Sequence, residues 1–162
     1  MTLLALDGIA PILPAGFYWV ADNATVIGDG RLFVMGTDGM VTALDAQTGA
    51  RRWSRSFSIS GDGASSVFGG GVSYDSGKVY VTTGFGEVAA LDAGTGNEVW
   101  KVKPAGPLRG SPTIAFNAIY VMTQNNQIHA LNAADGKALW NESGSVGQAG
   151  VFGVAAPAAG QG

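Results

Sequence analysis

Three observations in the sequence predict an all-β fold assembled from repeated antiparallel units. A stretch of 23 residues, Arg31 to Trp53 (RLFVMGTDGMVTALDAQTGARRW), returns at Lys78 to Trp100 and at Ala118 to Trp140 with no insertion or deletion. The copies share Val34/Val81/Val121, Ala43/Ala90/Ala130, Leu44/Leu91/Leu131, Ala46/Ala93/Ala133, Gly49/Gly96/Gly136 and Trp53/Trp100/Trp140. They begin 47 and then 40 residues apart, the period of stacked units such as propeller blades. Charged residues make up only 13% of the chain, while its 26 glycines are about twice the usual share, as turn-rich β proteins require. The expected architecture is a partial β-propeller of about three four-stranded antiparallel blades plus a strand of a fourth.

Residues 1–23 read as a degenerate or truncated leader. Leu3 to Asp7 echoes Val41 to Asp45, so this segment is either the remnant of a preceding blade or an apolar leader unrelated to the repeat. The first blade is placed at 24–57. It opens with a strand over Ala24 to Gly28 and continues with one apolar on both faces, Leu32 and Val34 against Phe33 and Met35, as a strand buried on both sides must be. Asp38-Gly39, Phe85-Gly86 and Asn125-Asn126 follow at the same place in the three units, and Asp-Gly and Asn-Asn suit the positive φ of a two-residue hairpin turn. The next strand, Met40 to Asp45, ends on a carboxylate suited to accept from the amides of the following turn, and Gly49 suits a left-handed position there. A short closing strand is expected to end at the Trp. A Gly/Ser-rich linker at 58–70, around Ser60 to Gly63, reads as a surface loop. The second blade occupies 71–103, with its first strand at Gly71 to Tyr74. An inter-blade loop spans 104–110. The third blade covers 111–143, its first strand at Ser111 to Phe116. Residues 144–162 read as a loop and the first strand of an incomplete fourth blade, because Gly150 to Val154 echoes Ser66 to Gly70.

Composition excludes several functions. Nine Lys and Arg against twelve Asp and Glu leave a net charge of −3, so no basic surface is available for nucleic acid or an anionic membrane. The absence of Cys removes disulfides, thiolate metal sites and cysteine nucleophiles. The uncharged run Gly8 to Ala21 is too short to span a bilayer, and Met1 to Asp7 lacks the basic segment of a secretory signal. No transmembrane segment and no targeting signal are expected in this chain.

Each unit fits Ala-x-Asp-x-x-x-Gly-x-x-x-Trp: Ala43, Asp45, Gly49, Trp53; then Ala90, Asp92, Gly96, Trp100; then Ala130, Asn132, Gly136, Trp140. Only Asn132 departs from the pattern. The chain thereby resembles PQQ-like β-propeller repeats and their tryptophan-docking motif. The resemblance implies that each Trp packs on the neighbouring blade and is structural, so no cofactor or metal is expected at these residues. His129, the only histidine, occupies the column of Thr42 and Ala89 and reads as a satisfied or half-exposed strand residue. Asp62 reads as a solvated loop tip, because calcium loops present several carboxylates at alternating positions. Glu87, Glu98 and Glu142 have no partner at a spacing that suggests catalysis.

Within that superfamily, Gly106-Pro107-Leu108-Arg109-Gly110-Ser111-Pro112-Thr113 is similar to the Leu-Arg-Gly loop of BamB proteins, which serve as scaffolds for inserting β-barrels into the bacterial outer membrane. The run Val151 to Ala159 resembles the same branch. The chain looks like an internal fragment of such a protein. The resemblance implies a non-enzymatic protein-binding scaffold at the periplasmic face of the outer membrane, with BamA POTRA domains as partner and Leu108 and Arg109 as an exposed contact pair. Self-association through open blade edges is a further expectation. Competing readings are a fragment of a PQQ-dependent dehydrogenase and a ligand-sensing propeller of the same repeat type.

Overall fold

A computed structural model describes residues 25–36, 38–57, 70–104, 106–108 and 110–143. The expected leader at 1–23, most of the 58–70 linker including Asp62, the strand at Gly150 to Val154 and Arg109 lie outside the described residues. Twelve strands are formed: β1 Thr25–Gly28, β2 Arg31–Met35, β3 Met40–Asp45, β4 Arg51–Ser56, β5 Gly70–Asp75, β6 Lys78–Thr83, β7 Val88–Asp92, β8 Glu98–Val102, β9 Thr113–Ala115, β10 Ala118–Met122, β11 Gln127–Asn132 and β12 Ala138–Ser143. They make three four-stranded antiparallel sheets, each in chain order, so the architecture is a partial β-propeller of three blades. β1 packs beside β5 and β5 beside β9, which makes the first strand of each blade the innermost.

The two-face apolarity of the second strands has its expected result. Leu32, Phe33, Val34 and Met35 are all buried, as are Val79, Tyr80 and Val81 in β6. Alternation sends Phe33, Met35, Val41 and Ala43 from the first blade against Val79, Val81, Ala89 and Leu91 from the second, forming one core between the two sheets. The opposite face of the second blade, with Tyr80, Val88, Ala90 and Trp100, meets Ile119, Val121, Leu131 and Ala133 of the third in a second core.

Two expectations, one about turns and one about strand ends, need correction. The hairpins after β2, β6 and β10 are not two-residue turns with positive φ throughout: among their described residues only Gly39, Gly86 and Asn126 are left-handed. Gly86 N donates to Thr83 O at 3.0 Å and Thr83 N to Glu87 O at 2.9 Å, the pattern of a three-residue loop closed by one left-handed residue. The turns with two positive φ values lie instead between the first and second strands, at Asp29-Gly30, Ser76-Gly77 and Phe116-Asn117. The closing strands also run past the Trp: β4 continues to Ser56, β8 to Val102 and β12 to Ser143. Their partners β3, β7 and β11 extend just as far, so the backbone ladder continues.

Candidate protein-binding surface

The repeat motif forms the seam between blades. Trp53 lies opposite Ala43 in the strand register, Trp100 opposite Ala90 and Trp140 opposite Ala130, so a small residue faces each indole. Trp53 Nε1 donates to Ala93 O of the second blade at 3.0 Å, and Trp100 Nε1 to Ala133 O of the third at 3.2 Å. The indoles rest on Gly96 and Gly136, where a β-carbon would come within 2.6 Å of the ring. Trp140, by contrast, is 49% exposed. Within each blade the indole also meets an aromatic ring of the second strand: Phe33 at 5.8 Å from Trp53, Tyr80 at 6.1 Å from Trp100 and Tyr120 at 5.9 Å from Trp140.

The acidic side chains of the motif are committed to their own turns. Asp45 Oδ1 accepts from Gln47 N, Thr48 N and the Thr48 hydroxyl, while its second oxygen pairs with Arg52 at 2.7 Å. The Arg52 guanidinium, then the Thr48 amide and hydroxyl, hold the carboxyl well below the usual carboxylate range. Asp92 accepts from Thr95 in the same way and is lowered chiefly by that residue. Asn132 Oδ1 accepts from Ala134 N at 2.8 Å, and Asp135 takes over the acidic role, lowered by its bond to Lys137. Gly49, Gly96 and Gly136 are left-handed, with φ of 69°, 75° and 72°. Glu98 and Glu87, unpartnered in the sequence reading, pair with Arg55 across the seam at 3.0 Å and with Lys101 within the blade at 4.0 Å.

These turns and those between first and second strands share one rim, tied together by Ala46 N to Gly30 O, Ala93 N to Gly77 O and Ala133 N to Asn117 O. The opposite rim carries the hairpins at 36–40, 83–87 and 123–127 together with the connection from β8 to β9. That connection contains the Leu-Arg-Gly segment. Leu108 was expected as an exposed apolar knob, but the structure buries it completely between the second and third blades, among Tyr80, Val88, Ile119 and Val121. It bridges to Thr123. Pro107 O accepts from Gln124 N at 2.9 Å, Gly110 O from the Thr82 hydroxyl at 2.6 Å, and Pro112 O from the Ser73 hydroxyl. Two flanking prolines, one buried leucine and three hydrogen bonds, two to neighbouring strands and one to the 123–127 hairpin, therefore fix the loop on both sides of position 109. Sequence reasoning missed the polar anchors Thr82 and Thr123, whose burial could not be inferred from a column that reads Met35, Thr82, Met122 or Gly36, Thr83, Thr123.

Comparison with known proteins follows the same line. The family profile described as outer membrane protein assembly factor BamB matches residues 37–162. An outer membrane protein assembly factor BamB from Moranella endobia is 33% identical over 114 residues, which is 68% of this chain and 29% of that protein. The crystal structure of BamB from Moraxella catarrhalis superposes with a TM-score of 0.59 at 26% identity, over 74% of this chain and 35% of the other. The quinohemoprotein alcohol dehydrogenase of Comamonas testosteroni superposes with a TM-score of 0.63 at 29% identity, over 74% of this chain and 20% of the other. The chain spans about a third of the length of the BamB relatives it matches.

Proposed function

The chain belongs to the outer membrane protein assembly factor BamB family, and from that premise we propose that it is a non-enzymatic scaffold whose 103–112 loop holds another protein. The observation that carries this reading is the fixed loop. A segment anchored by Leu108, Pro107 O and Gly110 O has little backbone freedom left to lose on docking, which favours binding through whatever it presents. Arg109 is the residue proposed to make the contact, since guanidinium groups are enriched at interface hot spots. By family resemblance the partner is a POTRA domain of BamA and the place of action the periplasmic face of the outer membrane. Among the described residues no helix is long and apolar enough to cross a membrane.

Titration of the POTRA domains against the chain and against Arg109→Glu tests this reading. The variant should weaken association at least tenfold while its melting curve stays in place; unchanged affinity would move the contact elsewhere. A second reading, a fragment of a PQQ-dependent dehydrogenase, is favoured by the superposition on the quinohemoprotein enzyme. Against it stand Asp45, Asp92 and Asp135, whose oxygens already serve turn amides, Arg52 and Lys137. Addition of PQQ and calcium should give no dye-linked alcohol oxidation, and turnover would favour the enzyme.

A further inference from the structure

His129 is buried in β11, and its Nε2 has no hydrogen-bond partner among the described residues. It lies opposite Val121 in β10 and Asn141 in β12, on the face of the third blade that packs against the second. The corresponding residues in the other blades meet no such problem: the Thr42 hydroxyl bonds to Ser54 at 3.1 Å, and Ala89 has no polar side-chain atom. The expectation of a satisfied or half-exposed histidine is therefore corrected on both counts.

Among the described residues, the immediate surroundings of His129 offer nothing to balance a positive charge. Across the seam the second blade presents Tyr80, Val88, Ala90, Trp100 and Leu108; the Tyr80 phenol donates to Ala133 O, while Asp75, Lys78 and Asp92, on the same strand faces, pair in register at the far end of the sheet, three residues beyond the Ala89 position that matches His129. Lys101 and Glu98 pair in register with Ala89 and Leu91, which belong to the opposite face, toward the first blade. Glu87 is engaged with Lys101. On β12 the register partner is Asn141, while Glu142 pairs with Ile128 on the other face. Strands β9 and β10 carry no charged residue, and Lys103 at the start of the loop is exposed. A neutral imidazole is tolerable in this place, whereas an imidazolium would be a buried charge without a counter-ion.

We propose that His129 is a proton-sensitive pin of the seam between the second and third blades: neutral, it lets the seam close, and protonated, it drives the seam open and frees the 106–112 loop. The seam-open form exposes the ring to water and binds the proton as an ordinary imidazole does. Burial pushes His129 below that ordinary value in the closed form. The closed form therefore binds fewer protons, and its stability is complete above the ordinary imidazole pKa of about 6.5 and declines as pH falls below it. In that window the opening equilibrium moves by up to about tenfold per pH unit. The lowered carboxylates Asp45, Asp92 and Asp135 titrate further toward acid and do not enter it. The inference does not depend on the identity of any partner.

Because this is the only histidine in the chain, its titration can be followed directly by NMR. The imidazole should titrate below 6.5, and between pH 7.5 and 5.5 the hydrogen-exchange protection factors of β10, β11 and residue 108 should fall several-fold while those of Val79 and Val81 at the other seam hold. His129→Ala and His129→Thr, which install the residues found at this position in the sister blades, should abolish the difference. An imidazole that titrates at or above 6.5, an equal fall at both seams, or a fall that survives in either variant would overturn the proposal. Should the variants fail to fold, the wild-type titration and the comparison of the two seams still decide it.

Discussion

Trp100 lies so close to Gly136 that any β-carbon there would meet the indole at 2.6 Å, and the same relationship joins Trp53 to Gly96. The indole Nε1–H then reaches a carbonyl three residues before that glycine, so a single side chain gives each seam both a close packing contact and a hydrogen bond.

Trp100→Ala should be the most damaging of the three indole truncations. Trp100 is 9% exposed and docked, Trp53 docked but less buried, and Trp140 half exposed. Removing a buried Trp costs about 3–5 kcal/mol, and Trp140→Ala should cost less than half of that. Denaturant melts of the three variants provide the ranking; a larger loss at Trp140 would contradict the order of packing.

Gly96→Ala and Gly136→Ala should each cost more than Gly77→Ala. All three residues are left-handed, so each substitution carries roughly 1–2 kcal/mol of backbone strain. Only the first two also drive a methyl group into an indole, whereas nothing lies within 4 Å of the position at Gly77. Overpacking should add about 1–3 kcal/mol. Equal losses in thermal melts would mean that the indoles move aside freely.

Leu108→Ala should destabilise the chain by about 2–5 kcal/mol, the usual cost of emptying a fully buried leucine site. Leu139→Ala, at a site 53% exposed, should change stability by no more than about 0.5 kcal/mol. A silent Leu108→Ala in urea melts would show that the loop contributes nothing to the seam.

Acid should remove a stabilising contribution from Asp45. Because Arg52 and Thr48 lower its pKa in the folded chain, that contribution is present above the unfolded value, about 3.9, and is lost as pH falls through it toward the folded value. Asp45→Asn keeps an oxygen for the turn amides, as Asn132 does in the third blade, but cannot titrate. Its melting temperature should therefore fall less than that of the wild type between pH 5 and pH 2. Parallel pH profiles would place the acid sensitivity elsewhere.

The repeat made the fold legible because every blade meets the same physical demands. Phe33/Tyr80/Tyr120, the Ala column and the docking Trp each solve the same packing problem in successive sheets, and the turn chemistry of Asp45 and Asp92 is local to five residues. What the sequence concealed was non-local. Leu108 reads as exposed because its loop is short and flanked by Pro and Gly, yet its environment is made by β6, β7 and β10, up to 28 residues away in the case of Thr82 and Gly110. His129 sits in a column with Thr42 and Ala89, and only the burial of the second seam gives it meaning. Phe116-Asn117 lacks the glycine that marks the other turns of its class, Asp29-Gly30 and Ser76-Gly77, so its left-handed backbone passed unnoticed.

The donation from Trp53 and Trp100 runs in one direction only, from each blade to its successor. An open array of n such blades has n − 1 donations, while a closed ring has n, so circularisation adds a whole interface without adding a residue. For units whose stability is the sum of intrinsic and nearest-neighbour contributions, that last interface makes ring closure cooperative and every blade boundary an equivalent place to cut and rejoin the polypeptide.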